Sequence, residues 1–81
     1  MKHYVVSLVW ASNVENDSTI LSVSHSFAKA KEVFADNIIA EKELARKNSC
    51  VVYEDNDWVF DAGENGCYCE NHSKLYITEV N

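Results

Sequence analysis

The chain has 81 residues, of which 47% are apolar, and a formal net charge of −6 at pH 7. That length corresponds to one domain, residues 1–81, with a globular composition that argues against disorder over the whole chain. No apolar run is long enough to cross a membrane, and an acidic chain repels polyanions, which argues against direct nucleic-acid binding.

The first half of the sequence predicts two strands and a loop. Residues 4–11 are rich in β-branched and aromatic side chains and predict a first strand. The polar residues 12–18 predict a loop, and residues 19–24 predict a second strand. The simplest arrangement of the two strands is an antiparallel hairpin.

A long helix is predicted next. Ser26 is the expected N-terminal cap, because its hydroxyl can accept a hydrogen bond from a backbone N–H of the first turn. Apolar side chains then recur at steps of three and four residues from Phe27 to Ala45, the spacing of an amphipathic helix. Asn48 is the expected left-handed residue at the C-terminal end.

The remaining sequence predicts short strands. Residues 50–54 form a third strand, residues 55–57 a turn or bulge, residues 58–62 and 66–70 the arms of a hairpin, and residues 75–80 a final strand. The predicted fold class is therefore α+β. It consists of ββα followed by three or four short strands, with an antiparallel or mixed sheet and one long helix packed on one face.

The first strand also predicts something about the sheet's second face. Tyr4, Val6 and Leu8 alternate with Val5 and Val9, so both sides of the strand are apolar. One helix covers only one side of a sheet. A curled hairpin, a second copy of the chain in a homodimer, or a partner protein is expected to cover the other.

The negative charge is concentrated near the C-terminus. Residues 1–50 carry six acids and six bases, whereas residues 51–81 carry seven acids and a single base, Lys74. This pattern predicts a surface that binds another protein with a basic surface. The predicted partner-binding residues are Glu54, Asp55, Asp57, Trp58, Asp61 and Glu64. The alternative is a solvated hairpin whose charge only discourages association with other sheet edges.

The cysteines suggest a metal site. Cys67 and Cys69 would lie on the same side of a strand with His72 just beyond its end, and Cys50 could be the fourth ligand. Thiolates and imidazole are the donors that zinc prefers, so the cluster predicts one structural zinc ion. Weaker candidate ligands are Asp61, Glu70 and His25. The alternative is that the cysteines fill a sheet face and His72 caps a turn.

The sequence shows no recognisable oxyanion loop, orienting third residue or phosphate-binding glycine run. We therefore expect no enzyme activity. Three closely spaced cysteines without a secretion signal indicate a reducing, cytoplasmic setting.

The short acidic chain, its ββα-plus-strands layout and the lack of an enzyme motif resemble small phage-encoded anti-defence proteins of the anti-CRISPR type. The resemblance is one of size, charge and element order, and it assigns no role to an individual residue. It implies an inhibitor that places an acidic face against the nucleic-acid channel or recognition lobe of a CRISPR effector. The other reading is a zinc-stabilised structural or homo-oligomeric accessory protein without inhibitor activity.

Overall fold

The computed structural model describes residues 2–11, 16–64 and 72–81, and for Asn16 and Glu64 the backbone alone. Its elements in chain order are β1 (His3–Ala11), β2 (Asn16–Ser24), α1 (Phe27–Lys47), β3 (Cys50–Asp55), β4 (Val59–Glu64) and β5 (His72–Val80). Within those described ranges, no helix is long and apolar enough to cross a lipid bilayer.

The five strands form one antiparallel sheet in the order β2-β1-β5-β4-β3. The 21-residue helix α1 lies across one face of this sheet. The α+β class with one helix packed on a sheet is thus confirmed, and the sheet is antiparallel rather than mixed. Among the described strands, β2 and β3 lie at the two edges of the sheet.

The core lies between α1 and the sheet. The helix contributes Ala30, Phe34 and Ala45, each at most 7% exposed, and the two alanines let the helix approach the strands closely. The sheet side of the same cluster has one buried residue from β1, two from β4 and two from β5, namely Val6, Phe60, Ala62, Leu75 and Ile77.

The ends of α1 show one success and one error of prediction. Ser26 is the N-terminal cap, and its hydroxyl accepts a hydrogen bond of 3.2 Å from the Lys29 N–H, as expected. Asn48 is not left-handed: its φ is −96° because its N–H still bonds the Leu44 carbonyl in helical fashion. The left-handed residue is Ser49, with φ 54°, one position later.

The second strand begins earlier than predicted. Residues 16–18 were expected to be loop, yet they belong to β2 and pair with Ala11, Trp10 and Val9 of β1. Their polar side chains have low strand propensity, but pairing along the whole of β1 outweighs that local preference. The strand predicted at residues 66–70 lies outside the described residues.

The connection between β3 and β4 is a turn built around Asn56. The Asn56 side-chain oxygen accepts hydrogen bonds from the N–H groups of Trp58 (2.8 Å) and Val59 (3.0 Å). The Asn56 N–H in turn bonds the Val59 carbonyl at 2.9 Å. The predicted turn at residues 55–57 is therefore present but shifted by one, because Asp55 still pairs with Phe60.

Candidate functional site

The face of the sheet opposite α1 is the most distinctive surface of the molecule. Strand alternation places Val5 and Val9 of β1 on this side, whereas Val6 between them is fully buried under the helix. Pairing across the sheet adds residues of β4 and β5: Ser7 lies beside Tyr76, and Tyr76 beside Val59. We call this side the open face, because no described helix or strand packs on it.

The open face carries accessible apolar side chains. Its central residues Val5, Val9, Val59 and Tyr76 are half-buried by their neighbours within the sheet. Its margins are far more exposed. Ile20 and Val23 on the β2 side are 66% and 60% exposed, and Tyr53 on the β3 side is 55% exposed. Large apolar side chains exposed to this extent are typical of a surface that contacts another molecule.

Charged groups lie on the β3–β4–β5 side of the open face. Asp61 and Lys74 are paired across β4 and β5, and Glu54 is the partner of Asp61 on β3. The imidazole Nε2 of His72 is hydrogen-bonded to the Asp61 carboxylate, whose side chain is only 16% exposed. Tyr53 stacks beside His72 with 5.5 Å between ring centroids, which joins the aromatic margin to this charged group.

Gly63 makes room for His72. A Cβ at position 63 would lie 3.2 Å from Cγ of His72, closer than ordinary van der Waals contact. The absence of a side chain there lets the imidazole lie over the neighbouring strand and reach Asp61. A glycine within a strand often marks such a close approach.

The predicted partner-binding residues do not share one surface. Asp55 and Asp57 lie on the helix side, where Lys42 and Lys31 pair with them at 3.4 Å and 3.6 Å. Lys31 also donates a 2.8 Å hydrogen bond to the Asp57 carbonyl. The acids that are contiguous in sequence are thus divided between two faces.

Trp58 also lies on the helix side. Its ring is 4.8 Å from that of Phe27, and Phe27 is 5.3 Å from Tyr4.

Asp61 and Glu54 belong to the open face, and for Glu64 only the strand position is described. Within the described residues, no basic group lies within ion-pairing distance of Glu54, so it is the acid best placed to meet a partner.

The folded charge distribution differs from the linear one. The sequence separates a neutral first part from an acidic second part, but Lys31 and Lys42 of α1 bring positive charge to the β3–β4 turn. These ammonium groups also lie near aromatic faces, 5.7 Å from the Phe34 centroid and 5.9 Å from that of Phe60. Two of the basic residues of α1, Lys31 and Lys42, therefore neutralise acids of the β3–β4 turn.

The predicted zinc ligands are only partly placed. Cys50 lies on the helix side with Leu44 and Ala45, whereas His72 faces the opposite side of the sheet beside Asp61. Ser73 confirms this orientation, because its hydroxyl bonds Glu41 of α1 at 3.1 Å, so its neighbour His72 points away from the helix. Cys67 and Cys69 lie outside the described residues, and the zinc site stays a prediction.

Sequence reasoning did not include the apolar part of the open face among the site residues. The signal was available in β1, where Val5 and Val9 alternate with the core residues. It predicted a second apolar face but did not name the residues of other strands that share it.

Comparisons with protein families, with characterised proteins and with solved structures gave no match. The function is therefore argued from the residues of the chain itself.

Proposed function

We propose that the protein binds another protein through the open face of its sheet, with α1 as the scaffold that holds the sheet. The observation that carries this proposal is the exposure of large apolar side chains, among them Ile20, Val23 and Tyr53, on a sheet face that no described element covers. Exposed aromatic anchors beside charged margins are typical of protein interfaces.

The dimensions of the face suit a protein partner. Five strands about 4.8 Å apart, each rising about 3.4 Å per residue over six to nine residues, span roughly 20 by 25 Å. That surface of about 500 Å² is a large part of the roughly 800 Å² that each partner contributes to a standard interface. The strand margins would supply the rest.

The charge of the protein supports a basic partner. Glu54 borders the open face without a neutralising base among the described residues, and the whole chain carries a net charge of −6. An acidic protein is attracted to basic nucleic-acid-binding surfaces and competes there with nucleic acid. The proposed activity is inhibition by occlusion, in the cytoplasm. The resemblance to anti-CRISPR-type proteins makes CRISPR effectors the first partners to test.

The test compares two reversals of equal charge. Glu54→Lys acts on the open face, and Asp57→Lys acts on the helix side, where Asp57 is paired with Lys31. Both change the net charge by the same amount, so long-range attraction changes similarly. Affinities of both variants for a panel of purified CRISPR effectors, with and without guide RNA, would be measured by biolayer interferometry.

We expect Glu54→Lys to weaken binding at least about tenfold, and Asp57→Lys to have the smaller effect. Equal losses in the two variants would show that only net charge matters and would contradict binding by the open face. If no effector in the panel binds the wild-type protein, the assignment to CRISPR effectors is wrong.

A second candidate function is that of a zinc-stabilised accessory module. The observation that favours it is the hydrogen bond between His72 and Asp61. A carboxylate only accepts hydrogen bonds, so Nε2 donates here. In the neutral imidazole Nδ1 then keeps a lone pair for a metal, as in many carboxylate–histidine–zinc sites. We expect a chelator to lower the melting temperature of zinc-loaded protein. An unchanged melting temperature, with no zinc mass in a native mass spectrum, would rule this candidate out.

A further inference from the structure

The two edges of the sheet differ in how well they are protected against pairing with another strand. β3 has six residues, ends in the acids Glu54 and Asp55, and carries a register shift after Val52. β2 has nine residues and also a register shift, but Asp17 is its only charged residue and it has no proline. Charge, proline and short length are the usual protections of an edge strand.

The outer side of β2 is therefore an open hydrogen-bonding edge. Among the described strands, only β1 pairs with β2, so every second backbone N–H and carbonyl of β2 points away from the sheet. Ile20 and Val23, the two most exposed apolar residues of the strand, lie along this edge at 66% and 60% exposure. Backbone donors and apolar side chains together form a surface that fits an added strand.

The charges of β2 fit a second copy of the same strand. Antiparallel pairing about a twofold axis that sets Ile20 of one chain opposite Val23 of the other places Asp17 opposite residue 26 of its partner. Residues 25–27 contain no acid. The uncharged stretch 19–24 pairs with itself, so it places no like charges together. β3 would form a shorter ladder of six residues instead of nine, and two of its six residues are acids.

We propose that two copies of the protein associate by antiparallel pairing of β2 with β2, forming a continuous ten-stranded sheet. A twofold axis perpendicular to the sheet keeps both helices on the same side. The two open faces then form one larger surface on the other side. The inference does not depend on the proposed partner, because the pairing uses the backbone groups of β2, although Ile20 and Val23 also border the open face.

The experiment is sedimentation velocity on the full chain over concentrations from low micromolar to several hundred micromolar. We expect a species of twice the 9.2 kDa chain mass at the upper end of that range. Ile20→Lys should weaken dimerisation at least about tenfold, because a lysine on an edge strand opposes pairing. Val23→Lys is the second variant. Both side chains are largely exposed, so the monomer should keep its fold, which circular dichroism checks.

Tyr53→Lys is the matched control, with a similar exposure of 55% on the other edge strand. It should leave the dimer intact while affecting the open face. A monomer at every concentration would overturn the proposal, as would a dimer that both β2 variants leave intact. A dimer that Tyr53→Lys dissolves would indicate face-to-face stacking of two sheets and would also overturn it. Since partner binding is measured separately with Glu54→Lys, either idea can fail alone.

Discussion

The two faces of the sheet are built from the same strands but reach different environments. On the helix side, Val6 and Leu75 are completely buried and Phe60 is 2% exposed. On the open side, Val5 and Val59 remain partly accessible, and Tyr53 is more than half exposed. Residues one position apart thus contribute to two different properties. The helix side contains the buried core, and the open side stays partly accessible.

This difference follows from how much of the sheet one helix can cover. The 21-residue helix α1 covers one face of the five-stranded sheet, and it is the only helix within residues 2–11, 16–64 and 72–81. A domain that only needed to be stable would place polar residues on the uncovered face, as antiparallel sheets commonly do. The apolar residues on the open face are the observation from which we propose a contact with another protein.

The largest expected change in the free energy of unfolding comes from a substitution on the helix side. Leu75→Ala should lower the free energy of unfolding by about 3 kcal/mol, because Leu75 is fully buried and its truncation leaves a cavity. That loss is a large fraction of the roughly 5–15 kcal/mol typical of a small domain. Urea denaturation followed by circular dichroism measures it. A loss below about 1 kcal/mol would show that the core under α1 is not packed as described.

A matched change on the open face should have a much smaller effect. Tyr53→Ala removes a larger side chain than Leu75→Ala does, but Tyr53 is 55% exposed and its ring lies beside that of His72. We expect the free energy of unfolding to change by less than about 1 kcal/mol in the same denaturation experiment. If Tyr53→Ala proved as destabilising as Leu75→Ala, the open face would be part of the folding core and the comparison would fail.

The elements that could be predicted from sequence are those set by local chemistry. The spacing of apolar residues and the Ser26 hydroxyl predicted α1 and its beginning, and the β-branched run of β1 predicted a strand. The start of β2 at Asn16 was missed because its polar residues form strand only through pairing with β1. Asn48 was predicted to be the left-handed residue after α1, but Ser49 is. The exact position of that residue depends on the path of the chain that follows the helix.

The candidate site could be predicted only in part, because it depends on contacts between distant residues. Glu54 and Asp61 were predicted as contact residues and lie on the open face, whereas Asp55 and Asp57 are paired with lysines of α1. No local pattern indicates that Lys31 would meet Asp57, since 26 residues separate them. The sheet order, which decides which apolar residues share the open face, is likewise a property of the whole fold.

The most direct test of the account is site-specific photo-cross-linking from the two sides of the molecule. A benzophenone amino acid would replace Tyr53 on the open face or, as the control, Ile39 on α1, which is 72% exposed. Each labelled protein would be irradiated with the purified CRISPR effectors of the panel and analysed by mass spectrometry. We predict cross-links from position 53 and none from position 39. Cross-links from position 39 alone would show that the helix side is the contact surface and would contradict the central claim.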